Sequence, residues 1–171
     1  MENFDLLNDE KVKYVEGKAA ECYTYLMESR DILLREAHTT INWLFAVIVG
    51  ATGYLLKLLE SPDGKWPLII ALAVVGLAAS WQSLKLFRDA LRSKPVIPAG
   101  NHPKNLFTDE LMACEIHEIR YAETELMQER LNIATEHNRN VGDAINHARM
   151  MLSLLPVAGG FAAVLVWLAV A

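Results

Sequence analysis

Residues able to do chemistry are concentrated in one stretch of this chain. His117, His137 and His147 lie there with Glu115, Glu118, Glu125 and Glu129, and the two cysteines are Cys22 and Cys114. A metal site on a helix needs ligands on adjacent turns, as in HExxH or ExxH pairs. The histidines are 20 and 10 residues apart, and neither pattern occurs. The glutamate spacing fits a solvated helix face, with pairs such as Glu125 and Arg130 lending minor support, rather than a carboxylate pair for acid–base work or calcium. Neither cysteine belongs to a CxxC or Cys/His pattern, and no GxSxG or dinucleotide fingerprint occurs. The expectation is a non-enzyme without a cofactor or metal.

One more stretch invites a ligand. Residues 97–106, IPAGNHPKNL, carry two prolines, a glycine and Lys104. A phosphate-cradling loop needs GxxxxGK[ST] between a strand and a helix. Here there is one glycine, with helical patterns on both sides. Pro98 and Pro103 restrict φ, and Gly100 and Asn101 tolerate positive φ, so the stretch reads as a rigid elbow, with a ligand loop as the alternative.

The elements around these residues follow from where charge is missing. Ala37–Leu56, Trp66–Leu84 and Met150–Ala171 contain no Asp, Glu, Lys or Arg, and run for 20, 19 and 22 residues. At about 1.5 Å per residue each can cross a hydrocarbon core of roughly 30 Å, and a soluble core helix of that length would show a charged stripe. A cleaved signal peptide does not fit the first window, because 36 residues rich in charge precede it. Trp66 and Trp81 bracket the second window, with Lys85 and Arg88 as anchors beyond it.

The expected fold is therefore an all-α integral membrane protein with three transmembrane helices and a cytoplasmic helical pair. Its parts are a cytoplasmic N-terminal helix (1–36), a first span (37–59), an external turn (60–65) and a second span (66–88). A cytoplasmic elbow (89–107), a cytoplasmic helix (108–149) opened by Thr108, and a third span (150–171) follow. Five Lys and Arg residues precede the first span and nine lie from Lys85 to Arg149, against Lys57 and Lys65 between spans one and two. That asymmetry predicts a cytoplasmic N-terminus and an external C-terminus. The net charge of −5, with nine carboxylates in the N-terminal arm, argues against nucleic acid as a partner.

Apolar residues at three- and four-residue steps predict the packing faces. On the first helix they are Val12, Val15, Ala19, Cys22, Leu26 and Leu33. Ile116, Ile119, Ala122, Leu126, Ile133, Val141, Ala144, Ala148 and Met151 form the corresponding stripe on the later one. The first helix has no proline and is expected to continue into the first span. Small residues mark the expected contacts within the membrane: Gly50, Gly53, Gly76, Ser80, Gly159, Gly160 and Ala163. No carboxylate or cation lies within the three charge-free windows at the heart of the spans, which argues against a transporter or proton pump. Three spans are too few to enclose a path alone, so a homo-oligomer in the lipid bilayer is expected.

This order of parts resembles the small transmembrane effectors of bacterial antiphage signalling, the Pycsar transmembrane effectors and the related SLATT effectors. A cytoplasmic helix leads directly into a membrane hairpin, a helical cytoplasmic segment follows, and Leu152–Ala171 supplies the closing span found in the Pycsar group. The resemblance spans the whole chain and implies a pore-forming antiviral-defence effector of the bacterial inner membrane. Such a protein oligomerises and permeabilises the membrane when a cytoplasmic partner protein or signalling nucleotide arrives. The alternatives are a non-catalytic membrane anchor or regulatory subunit that docks a cytoplasmic partner, and a prophage holin-like protein.

Overall fold

A computed structural model describes residues 9–60, 65–92 and 113–170. All regular structure among them is helical. The elbow residues Pro98, Gly100, Asn101 and Pro103, the turn residues 61–64 and Thr108 lie outside the described residues.

Helix α1 runs unbroken from Asp9 to Leu59, joining the expected N-terminal helix and first span in 51 residues. Gly17 costs about 1 kcal/mol relative to alanine, and a helix this long owes its stability to packing rather than propensity. Helix α2 covers Trp66–Leu86. The Lys65 carbonyl accepts the N–H groups of Leu68 and Ile69 at 3.0 and 3.1 Å, while Pro67 sits in the first turn, where a missing N–H breaks nothing. The chain then continues through one π-helical turn, Phe87–Leu91, closed by the Arg92 N–H on the Phe87 carbonyl at 2.8 Å. Helical structure thus extends into the segment expected to be elbow, as far as Leu91.

Helix α3 runs from Ile116 to Val170. Glu118 explains the start. Its carboxylate accepts the Glu115 N–H at 3.1 Å, while the Glu115 carbonyl accepts the N–H groups of Glu118 and Ile119. That is the acidic half of a capping box, and it suits the positive end of the helix dipole. Pro156 removes the bond to the Leu152 carbonyl, yet the helix persists to Val170. Each of the three helices includes a stretch long and apolar enough to cross a membrane.

The chain forms two compact units. The first comprises 1–31 and 94–139, the second 32–93 and 140–171. The second holds a continuous core of Ala37, Ile41 and Leu44 from α1, Ala79, Leu86 and Ala90 from α2 and its π turn, and Val141, Ile145, Ala148 and Leu155 from α3.

Candidate functional site: packing seams and their polar groups

Within the first unit, buried or half-buried residues of α1 recur at Val12, Glu16, Ala19, Tyr23, Leu26 and Arg30, and those of α3 at Arg120, Thr124, Met127, Leu131, Ala134 and Asn138. Steps of four and three alternate throughout. That 3.5-residue rhythm is the one that keeps two helices in register as a left-handed pair.

The seam differs from the expected faces. Val15, Cys22, Ile116, Ala122, Leu126 and Ile133 are exposed. Hydrogen bonding explains the exchange. Arg120 donates from Nε and Nη2 to both carboxylate oxygens of Glu16, at 2.9 and 2.6 Å, in a fork-to-fork pair. Asn138 Nδ2 donates to the Leu26 carbonyl at 2.8 Å. Both bonds rise along the two helices together, so α1 and α3 run parallel here. A seam with ready polar partners rewards Arg and Asn more than it rewards another isoleucine.

Within the second unit the same alternation continues at Leu33, Ala37, Thr40, Leu44, Val47 and Ala51, and at Val141, Ile145, Ala148, Leu152, Leu155 and Gly159. Of the α3 stripe expected from Val141 onward, Val141 and Ala148 are buried, while Ala144 and Met151 are half-buried beside Ile145 and Leu152. At one end Arg149 reaches Glu36 at 3.0 Å and donates from Nε to Thr40 Oγ1 at 3.3 Å. The Thr40 hydroxyl donates to the Glu36 carbonyl at 2.9 Å, and Thr39 and Ser80 do the same to Arg35 and Gly76, so these polar groups in apolar stretches are satisfied by their own helices.

The small residues separate into two groups. A Cβ on Gly159 would stand 2.8 Å from Val75 Cγ2 and 3.7 Å from the Ala71 carbonyl, so only glycine fits. A Cβ on Gly76 would meet Ala51 at an ordinary 3.8 Å. Gly50, Gly53 and Gly160 have open space beside them, Ser80 is exposed and Ala163 is half-buried. The chain's own packing therefore uses Gly76 and Gly159, and leaves the other three glycines uncovered.

Two buried groups on α2 were not anticipated as inward-facing. Gln82 and Ser83 are each 8% exposed, and Gln82 Oε1 and Ser83 Oγ have no hydrogen-bond partner among the described residues. These unsatisfied oxygens are buried near the end of α2, where each costs about 1–3 kcal/mol.

Among the described residues, no three of His, Cys, Asp and Glu come together as metal ligands, and Cys22 and Cys114 are exposed and outside any disulfide. Comparison of the chain with known protein-family models, with curated proteins and with solved structures finds no match.

Proposed function

We propose that this chain is a multi-pass effector of the bacterial inner membrane, with its N-terminus in the cytoplasm, that assembles with copies of itself and permeabilises the membrane in an antiphage, abortive-infection type of response. The carrying observation is the division of the glycines. The single chain's packing consumes Gly76 and Gly159, while Gly50, Gly53 and Gly160 stay open on apolar helices. In lipid, association depends on close helix approach rather than on hydrophobic drive, so uncovered glycines suit contact with another copy.

The membrane setting is supported by the inverted packing of the second unit. Ala37, Ala51, Ala71, Ala79, Ala90 and Ala148 lie inside, while Trp43, Val49, Leu77, Trp81, Phe161 and Trp167 are more than half exposed. Only 11% of the most apolar window of α3 is buried. Water would penalise so large an exposed apolar surface, and acyl chains would not.

The test is expression with the cognate trigger, a partner protein or a signalling nucleotide, while membrane potential is followed with a voltage-sensitive dye. Depolarisation is expected, and Gly50→Leu/Gly53→Leu should prevent it without removing the protein from the membrane. Full potential in triggered cells defeats the reading. Labelling with an impermeant maleimide tests the orientation, since Cys22 and Cys114 should react only after lysis.

A second reading, a non-catalytic anchor that docks a cytoplasmic partner, is favoured by a different surface. In the first unit Tyr14, Tyr25 and Ile116 are 67%, 68% and 70% exposed, away from the seam. A strictly monomeric chain in detergent, with or without the trigger, would select the anchor.

A further inference from the structure

The end of α2 combines three features. The first is a groove of about 310 Å³ lined, among the described residues, by Trp81, Leu84, Lys85, Phe87, Arg88 and Arg92. The second is its composition, three large exposed apolar side chains and three cations. Trp81, Leu84 and Phe87 are exposed by 65%, 62% and 55%. Lys85 and Arg92 have no carboxylate partner among the described residues. Arg88 holds Asp89 through Nε at 2.8 Å and Nη2 at 3.4 Å, which leaves three of its five N–H donors for another anion.

The third feature is the π turn. In an α-helix residues four apart stack along one face. Here the Arg92 N–H bonds the Phe87 carbonyl, five residues back, so Arg92 is brought into line above Phe87. The wide turn therefore keeps Arg92 on the wall of the groove that Phe87 and Arg88 also line. The long stems of Lys and Arg are themselves apolar and can line such a wall while their charged tips lie further out.

We propose that this groove binds an anionic phospholipid. Its phosphate sits among Lys85, Arg88 and Arg92, and its acyl chains lie along Trp81, Leu84 and Phe87. Charge complementarity selects the occupant: an apolar wall with three cations beside it matches an anionic amphiphile better than a free anion or a zwitterionic lipid. Basic clusters at the end of a membrane helix attract anionic headgroups by about fivefold in affinity per cation. The proposal rests on α2 lying in a bilayer and is independent of whether the chain forms a pore.

The experiment uses the full chain with Trp43, Trp66 and Trp167 replaced by Phe, so that Trp81 is the sole indole. It is reconstituted in vesicles of phosphatidylcholine containing a tenth phosphatidylglycerol. Either lipid carries brominated acyl chains, which quench indole fluorescence on contact. Brominated phosphatidylglycerol should quench Trp81 at least threefold more per mole than brominated phosphatidylcholine. Lys85→Gln/Arg88→Gln/Arg92→Gln should abolish that preference. Lys85→Arg/Arg88→Lys/Arg92→Lys should keep it, and Arg35→Gln/Arg139→Gln should leave it intact, with circular dichroism confirming helix content in each. Equal quenching by the two lipids in the parent would overturn the proposal. So would a preference that survives the triple Gln variant, or one erased by 10-fold excess inorganic phosphate over phosphatidylglycerol. Should the triple Gln variant not fold, the parent comparison and the phosphate arm still decide.

Discussion

In the first unit the seam between α1 and α3 carries Glu16, Arg120 and Asn138. In the second it carries Ala37, Leu44, Ala148 and Leu155. The spacing is the same and the chemistry is not. Where the seam is polar, directional bonds define the register: a two-pronged ion pair and an amide on a main-chain carbonyl each tolerate little sliding. Where it is apolar, register is set by shape, and in the same unit α3 meets α2 most closely at Gly159 against Val75. A helix pair in water can draw on the hydrophobic effect for affinity and use polar groups for specificity. Helices in lipid lack that drive and rely on close packing. The first unit's seam carries the directional polar groups of the former kind, and the second unit's carries the close apolar packing of the latter.

The largest effect expected from this contrast is at Gly159. Gly159→Leu drives a side chain into Val75 and should cost about 2–3 kcal/mol by overpacking, read as lost folded protein in a denaturant titration in detergent. Gly160→Ala, one residue away, has open space and should leave stability unchanged or raise it by up to about 1 kcal/mol through helix propensity. Equal losses at both sites would break the shape argument for the second unit.

Next comes α2. Gln82→Leu removes a buried oxygen that no group satisfies, so a gain of about 1–2 kcal/mol is expected in the same titration. A loss instead would mean that Gln82 has a partner in the working protein. If stability rises while permeabilisation disappears, the unsatisfied oxygens serve activity rather than folding.

The polar seam should respond less. Arg120→Ala should cost about 1 kcal/mol, because the pair with Glu16 is well formed but still about a quarter to a third exposed. A double-mutant cycle with Glu16→Ala should return most of that as coupling energy, and zero coupling would remove the ion pair as the register device. The smallest effect belongs to Arg149→Ala. Its pair with Glu36 is nearly half exposed on both sides, so about 0.5 kcal/mol or less is expected, fading as salt is added.

The sequence was most legible where a property is a sum over neighbours. Three charge-free windows announce three helices able to cross a bilayer, because charge content along a window needs no knowledge of its partner. The continuity of α1 was legible for the same reason, since no proline interrupts it. The inward face of the first unit was less so. Ile116, Leu126 and Ile133 looked like core on hydrophobicity alone, yet the structure turns Arg120, Thr124 and Asn138 inward. A count of 3.5-residue steps that admitted polar residues would have found them.

What the sequence alone determined, then, is helix content, the length of the apolar stretches and the supply of small residues, all of which are local. Which glycine touches a neighbour, which arginine finds a carboxylate 104 residues away and which polar atoms of α2 are sealed inside were decided only by tertiary structure. The reason is geometric. A helix presents every side chain at a known angle to its own axis, but which angle is inside is set by where the other helices lie.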